Sequence, residues 1–249
     1  MLTDEIYQQV LPMAAQHTAT DIRVGLGYTA VALEDGRCGL AYTLHENEHE
    51  SCTVIPEAGT LAGRKASDLI SGLKQLDQTA CAIGLATANA LIDIPQEAVE
   101  ADILDLLPVE SEDTVGMVGY FGPLVNPTKK KARMMYIFER KPIPELGVLP
   151  DSAASDLLPK CQVVILTATA LLNQTIDGLL GSCKAAREIA VLGPTTPFLP
   201  GPFRKRGVTI LSGVQGIDSP RILQIVSEAG GTRSFGKAIR KLTLRIAQD

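Results

Sequence analysis

Val115-Gly116-Met117-Val118-Gly119-Tyr120-Phe121-Gly122-Pro123 decides the fold. The apolar residues up to Val118 suit a strand buried on both faces of a parallel sheet. Gly119 lets the chain turn sharply and approach a ligand closely. Pro123, with its fixed φ and no N–H to satisfy, suits the first turn of the helix that follows. A glycine turn between strand and helix is how doubly wound α/β domains hold phosphates or nucleotide-like ligands. The spacing of Gly116, Gly119 and Gly122 is G-x-x-G-x-x-G rather than G-x-G-x-x-G, so the turn alone names no ligand.

Downstream, a second apolar strand runs into Glu139, twenty residues after Gly119. An acidic residue at about that offset hydrogen-bonds a ribose in dinucleotide-binding domains. The alternative is that Glu139 only ends a strand beside Arg140. From Thr114 onward strands and helices alternate. Strands are expected at 114–118, 134–139, 162–167, 189–192 and 208–211, with helices at 123–130, 152–158, 170–182, near Phe203 and at 220–228. This alternation predicts a parallel sheet covered by helices on both faces, and such sheets bind ligands beyond the carboxyl ends of their strands. The residues expected there are Gly119, Tyr120 and Phe121; Glu139 and Arg140; Thr167 and Thr169 with Asn173; Gly193, Thr195 and Thr196; and Gly213 to Asp218. Each alone also suits an ordinary turn. Five polar strand ends in concert predict a ligand-binding edge.

Working back toward the N-terminus, residues 2–15 read as a helix. Strands follow at 21–33 and 38–44, joined at Glu34-Asp35-Gly36-Arg37, with a third strand at 52–55. Helical patterns cover 65–74 and the Ala-rich stretch 78–92, and Ile94-Pro95 breaks the second. The acidic segment 97–113 reads as a connector. The organisation is therefore α/β in two domains: an α+β unit over 1–100 and a doubly wound parallel-sheet domain over 101–249.

Net charge is −5 and unevenly placed: residues 1–100 carry 5 Lys+Arg against 14 Asp+Glu, and residues 101–249 carry 18 against 14. The asymmetry predicts complementary domain surfaces. Lys129, Lys130 and Lys131, and the run from Arg204 to Arg206, lack interleaved aromatics and read as solvated helix ends, not nucleic-acid contacts. No stretch reaches eighteen consecutive apolar residues and the N-terminus has no signal-peptide pattern, so no membrane association and a cytoplasmic location are expected. The 5 cysteines are widely spaced without C-x-x-C, which fits buried thiols in a reducing compartment.

His45-Glu46-Asn47-Glu48-His49 satisfies H-E-x-x-H. The segment has no apolar helical period that would bring both histidines to one face, so it reads as a charged loop, not a protease centre. Carboxylates at the sheet edge remain for acid–base work, chiefly Glu139. Asn89 and Asn173 are candidates to orient a heterocycle or oxyanion through paired donors and acceptors. For Asn89 the other reading is burial against a backbone partner.

Several stretches together resemble the heavy-metal chelation domain family, a family of unknown function that joins an enolase-N-terminal-like domain to a Rossmann-like domain. They are Gly119-Tyr120-Phe121-Gly122-Pro123-Leu124-Val125, Glu139-Arg140-Lys141-Pro142, Leu149-Pro150-Asp151, Thr167-Ala168-Thr169-Ala170-Leu171-Leu172-Asn173 and Leu192-Gly193-Pro194-Thr195-Thr196-Pro197. Pro56-Glu57-Ala58-Gly59 and Asn89-Ala90-Leu91 add to the likeness in the first domain. The resemblance covers nearly the whole chain. It implies a small-molecule site in the cleft between domains and partial likeness to methyltransferase-type Rossmann domains. It also implies a role in condensing or hydrolysing compounds related to pterins, flavins or metal chelators. The leading expectation is an enzyme or binding protein of that kind. The alternatives are a non-catalytic heavy-metal or metallophore chelation protein and a nucleotide-cofactor-dependent oxidoreductase. The sequence names no cofactor, metal ligand set or oligomeric state.

Overall fold

The computed structural model describes residues 1–44 and 53–247. Helix α1 (Leu2–Ala14) buries Leu2, Ile6, Val10 and Ala14, one residue per turn on a single face. Strands β1 (Ala19–Val24), β2 (Tyr28–Leu33) and β3 (Cys38–Tyr42) form an antiparallel sheet in the order β1-β2-β3. The span 21–33, read as one strand, is thus two. The chain reverses at Gly25-Leu26-Gly27, where the amide of Gly25 donates to the carbonyl of Tyr28 at 2.9 Å. Residues 53–55 form no strand, and Cys52, His45 and His49 lie outside the described residues.

Next come α2 (Ala66–Leu69), which runs on as a 3-10 turn to Lys74, and α3 (Gln78–Leu91). The Asp77 carboxylate caps α3 by accepting from the Ala80 amide at 2.6 Å. The small residues of α3 have a packing reason: a Cβ on Gly39 of β3 would fall 2.0 Å from the Ala86 carbonyl oxygen, so helix and strand lie backbone to backbone. That approach holds Asn89 against the middle of β3, where its side chain reaches the Leu40 carbonyl. A short helix α4 (Ile103–Leu106), capped by Asp102, interrupts the stretch read as a plain connector.

The second half opens with β4 (Thr114–Val118), whose residues are all buried, and α5 (Gly122–Lys131). β5 (Met134–Glu139) and the short β6 (Val148–Pro150) follow, then α6 (Ala154–Leu157), flanked by 3-10 turns where one helix was read. After β7 (Val163–Thr167) the helix read at 170–182 is broken. A 3-10 turn spans 168–171, Gln174 takes φ +58, and α7 covers only Ile176–Ser182. β8 (Glu188–Leu192), α8 (Pro200–Arg204) and β9 (Ile210–Gly216) complete the parallel set. β9 runs past its predicted end, so Gly213 lies inside the strand rather than beyond it. Helices α9 (Ser219–Ser227) and α10 (Thr232–Phe235) precede β10 (Ile239–Arg245), an antiparallel edge strand that pairs with β9.

The large sheet has the order β10-β9-β8-β7-β4-β5-β6. Val118 pairs in parallel register with Phe138 on one side and Leu166 on the other, and Thr167 pairs with Leu192. The carboxyl ends of β5, β4, β7 and β8 therefore share one edge. One apolar core runs through both halves, joining Leu2, Ile6, Leu85 and Leu91 to Phe138, Leu166, Phe203 and Leu244. Each such side chain taken fully from water contributes about 1.5–3 kcal/mol. Charge complementarity is visible at α1, where Glu5 meets Arg206 at 2.9 Å and Lys205 at 3.0 Å. Part of the basic run at 204–206 is thus an intramolecular contact. No helix among the described residues is long and apolar enough to cross a membrane.

Candidate functional site

From β4 the chain moves outward through β5 and β6, then returns to the far side of β4 for β7, β8 and β9. The direction of winding reverses between β4 and β7, and a reversal of this kind opens a crevice beyond the carboxyl ends of the two strands. The residues after these strands are Gly119-Tyr120-Phe121 and Ala168-Thr169.

Gly119 has φ +93, a conformation side chains rarely adopt, and a Cβ there would lie 2.8 Å from Thr167 Cβ. Its amide donates to the Phe138 carbonyl at 2.9 Å, extending the β4–β5 ladder to the lip of the crevice. The next amide, of Tyr120, donates to Glu139 Oε1 at 2.6 Å. Glu139 is half-buried, and its other carboxylate oxygen has no protein partner among the described residues. The Tyr120 ring is 37% exposed, and Phe121 packs on the core beneath the β4–β5 side. Across the crevice, Thr167 Oγ1 and Thr169 Oγ1 share a hydrogen bond of 2.9 Å, and Thr167 also caps the 3-10 turn. Structure therefore gathers Gly119, Tyr120, Phe121, Glu139, Thr167 and Thr169 at one place.

One strand further along, Gly193 turns the chain with φ +126 into Thr195 and Thr196, both 1% exposed. Thr195 joins the halves: its hydroxyl accepts from the Tyr42 amide at 2.9 Å, and its carbonyl accepts from Asn89 Nδ2 at 3.2 Å. Asn89 Nδ2 also donates to the Leu40 carbonyl at 2.8 Å. Two carbonyls can meet only the amide nitrogen, so they fix the side-chain orientation and leave Oδ1 as a pure acceptor. Asn89 Oδ1 and Thr196 Oγ1 are buried without a partner among the described residues. Asn89 lies by the turn after β8 and Glu139 ends β5, with β7 and β4 between those two strands.

The other predicted residues are placed differently. Asn173 Oδ1 accepts from the Thr175 hydroxyl at 2.7 Å and amide at 3.2 Å, so that oxygen is committed to starting α7. Asp218 caps α9 by accepting from the Arg221 amide at 3.1 Å, at the β9 end of the sheet. It lines a groove of about 600 Å³ with Thr20, Asp21, Gly36 and Pro220, away from the reversal. Arg140 is exposed, and its Nε lies 3.9 Å from Asp151 Oδ2. His17, which the sequence did not single out, has its Nδ1 2.8 Å from Glu34 Oε1 and its Nε2 2.8 Å from Arg37 Nη2, in a cluster that also binds the α3 end through Arg37 and the Leu91 carbonyl.

In the turn after β4 the Tyr120 amide is taken by Glu139, Pro123 has none, and the Leu124 amide donates to the Phe121 carbonyl at 2.8 Å, while the amides of Phe121 and Gly122 at the start of α5 have no protein acceptor among the described residues. Direct metal ligation is ill-provided among those residues. Among the described residues no group of three or more His, Cys, Asp or Glu side chains is placed to hold an ion. Burial pushes the thiols of Cys38, Cys81 and Cys183 up to about 12 and that of Cys161 to about 11, so at neutral pH they are protonated and not metal-binding thiolates.

These features define a two-sheet α/β protein with a polar, partly unsatisfied edge at the point where its parallel sheet reverses. Residues 102–245 match the family model described as "Putative heavy-metal chelation", and residues 7–92 match a second model of the same description; the chain belongs to this family. It is similar to an uncharacterized protein of Methanocaldococcus jannaschii, at 27% identity over 265 aligned positions that cover 99% of this chain and 98% of the relative. The fold is that of a protein of unknown function from Pyrococcus horikoshii, with TM-score 0.85, 25% identity and 99% and 100% of the two chains covered. A family member from Desulfitobacterium hafniense, also of unknown function, shares the fold with TM-score 0.79 at 23% identity over 98% of each chain.

Proposed function

We propose that this chain binds a small organic molecule in the crevice between β4 and β7, and that it is a cytoplasmic enzyme or binding protein for compounds related to pterins, flavins or metal chelators. The observation that carries the reading is the coincidence of the winding reversal with Gly119, whose bare backbone at φ +93 faces Thr167 where a side chain would collide. Around it stand an aromatic ring, a carboxylate with one uncommitted oxygen and a pair of hydroxyls, which suits orientation of a polar heterocycle. If the bound molecule is condensed or hydrolysed, Glu139 is the group positioned to accept a proton, and Asn89, whose side chain is buried, acts by holding β3 to the turn after β8.

A second reading, non-catalytic heavy-metal chelation, is favoured by the family description alone. The donor set of the described residues does not fit a bare ion, so no step is derived through one.

The test is a fragment screen by nuclear magnetic resonance on the ¹⁵N-labelled protein, using neutral and charged heterocycles. Binders are expected to shift the amides of Gly119, Tyr120, Thr167 and Thr169, and Tyr120→Ala is expected to weaken them. Binders that shift only the groove between β1 and α9 would move the site elsewhere.

A further inference from the structure

The outer side of β1 is an open sheet edge whose charges fit a copy of itself. Among the described strands β1 pairs with β2 alone. Gly25 bonds inward to Tyr28, and antiparallel pairing alternates, so Asp21 and Arg23 bond inward to Ala32 and Ala30. Ile22 and Val24 therefore turn their backbone N–H and C=O outward. The start of the strand is covered: the Ala19 amide donates to the Arg64 carbonyl at 3.0 Å, and the Ala19 carbonyl accepts from the Gly63 amide at 2.8 Å. Cover by the described residues stops at the bulge that follows Ala19. Beyond it the Ile22 amide meets only the carboxylate of its neighbour Asp21, and Val24 and Leu26 are 38% and 70% exposed.

A trough follows this edge. Helix α9 runs beside it from Ser219, whose hydroxyl donates to the Gly36 carbonyl, to Ser227, whose hydroxyl accepts from Arg23 Nη1 at 3.4 Å. Two hollows of about 560 and 600 Å³ meet at Asp21, Pro220 and Leu223, between strand and helix. Exposed edges are commonly guarded by charges and bulges, because an open ladder recruits other strands. A guard of one sign repels every copy. Here the signs alternate: Asp21 and Arg23 share the α9 face of the strand, and Arg23 Nε and Nη2 reach the Asp21 carboxylate at 2.6 and 2.7 Å.

We infer that the chain pairs with a second copy of itself through β1, the two antiparallel sheets joining edge to edge about a two-fold axis at Ile22. In that register Ile22 exchanges both backbone bonds with its counterpart, and Asp21 stands opposite Arg23 of the copy, twice by symmetry. A centre at Asp21 or at Arg23 sets like charges opposite each other, and a centre at Val24 pairs no charges. Thr20 meets Val24 of the copy, and the copy's chain turns away at Gly25-Leu26-Gly27 before it reaches the cover at Gly63 and Arg64. The uncovered stretch and the strand it receives thus have one length. On the α9 face the two helices come to lie antiparallel across the axis, with Leu223 of each filling the trough.

Sedimentation velocity of the full chain between about 5 μM and about 500 μM reads the mass, 26.5 kDa for one copy, and its concentration dependence. Wild type is expected to reach the mass of two copies. Asp21→Arg leaves two positive charges on each strand and Arg23→Asp leaves two negative ones. Each variant alone is expected to raise the dimer dissociation constant about tenfold or more. An equimolar mixture of the two sets opposite charges against each other again, and it is expected to dimerise within about threefold of wild type. The double variant Asp21→Arg/Arg23→Asp is expected to do the same.

A wild type that remains one copy throughout overturns the inference and leaves a strand of another protein as the edge's occupant. A dimer insensitive to both single changes lies on another face and overturns it too. So does a mixture that stays monomeric while circular dichroism shows both variants folded. Should either variant unfold, amide exchange in wild type decides. The Ile22 and Val24 amides are expected to exchange about tenfold more slowly in concentrated than in dilute protein, while amides of α5, remote from the edge, keep their rates. Unchanged rates at Ile22 and Val24, or equal slowing everywhere, overturn the pairing.

Discussion

Replacing Gly119 by alanine tests the contact on which the crevice depends. Two costs add. Holding a side chain at φ +93 costs about 1–3 kcal/mol. The new Cβ also sits 2.8 Å from Thr167 Cβ and 3.1 Å from its Cγ2. Neither strand can retreat freely, because β4 and β7 pair along their length, so this overpacking adds about 1–3 kcal/mol. The sum is about 4 kcal/mol, a large share of the roughly 5–15 kcal/mol that holds a domain folded. Gly147→Ala is the control: φ is +70 and no atom lies within 4 Å, so it carries the backbone cost alone, about 1 kcal/mol. Equilibrium urea unfolding gives both values from the midpoints, provided the two slopes agree. The expected difference is about 3 kcal/mol, with weakened binding of any fragment that shifts the Thr167 amide. A Gly119→Ala protein within about 1 kcal/mol of Gly147→Ala would refute the close packing of the two strand ends.

Three further outcomes follow from the rest of the molecule. Burial raises the Asp113 carboxyl, but bonds from Arg187 at 2.6 and 2.9 Å and from the Glu110 amide at 2.7 Å outweigh it and hold the group below its ordinary value. A lowered folded value gives stability that is present above about pH 4 and lost as pH falls through the folded value. Arg187→Ala should therefore move the acid unfolding midpoint upward and, after discounting for the half-exposed guanidinium, cost about 2 kcal/mol at pH 7; an unmoved acid midpoint would count against the pair. Cys38, Cys81, Cys161 and Cys183 should resist a thiol-specific reagent at pH 8 until denaturant is added, and rapid labelling of any of them, identified by peptide mass, would contradict their burial. Dialysis against a chelator should leave Tm within about 1 °C of the untreated protein, because metal linkage raises Tm only where a site is lost on unfolding; elemental analysis run alongside shows whether metal was removed.

The two central strands were legible from sequence to the residue: β4 and β5 end where their glycine and glutamate predicted. Buried parallel strands leave little room for ambiguity, since every position must be apolar and the next must turn. Elements whose identity depends on tertiary partners were not legible. β10 carries Arg240, Lys241 and Arg245 on its exposed positions, and only pairing with β9 makes it a strand. The break between the 3-10 turn and α7 rests on Asn173 folding back onto Thr175, which competes with helix locally and leaves no trace in hydrophobic spacing. The reversal at Gly25-Leu26-Gly27 was hidden inside a run of strand-forming residues.

The site shows the same division. Sequence named the polar strand ends, because an open sheet exposes them whichever way the strands are ordered. It gave no strand order, and the order is what separates them. Reversal between β4 and β7 makes neighbours of Gly119 and Thr167, places Glu139 beside them, and sends Asp218 to the far end of the sheet. Nor did sequence show which hydrogen-bonding groups are already spent. Glu139 looked like a ribose ligand or a strand end; in the fold it does the local work with one oxygen and keeps the other. Asn89 looked like a ligand group or a buried amide, and it is a buried amide whose nitrogen is satisfied and whose oxygen is not. Burial likewise decides what the four described thiols can do: held protonated, they offer a soft metal no thiolate at neutral pH.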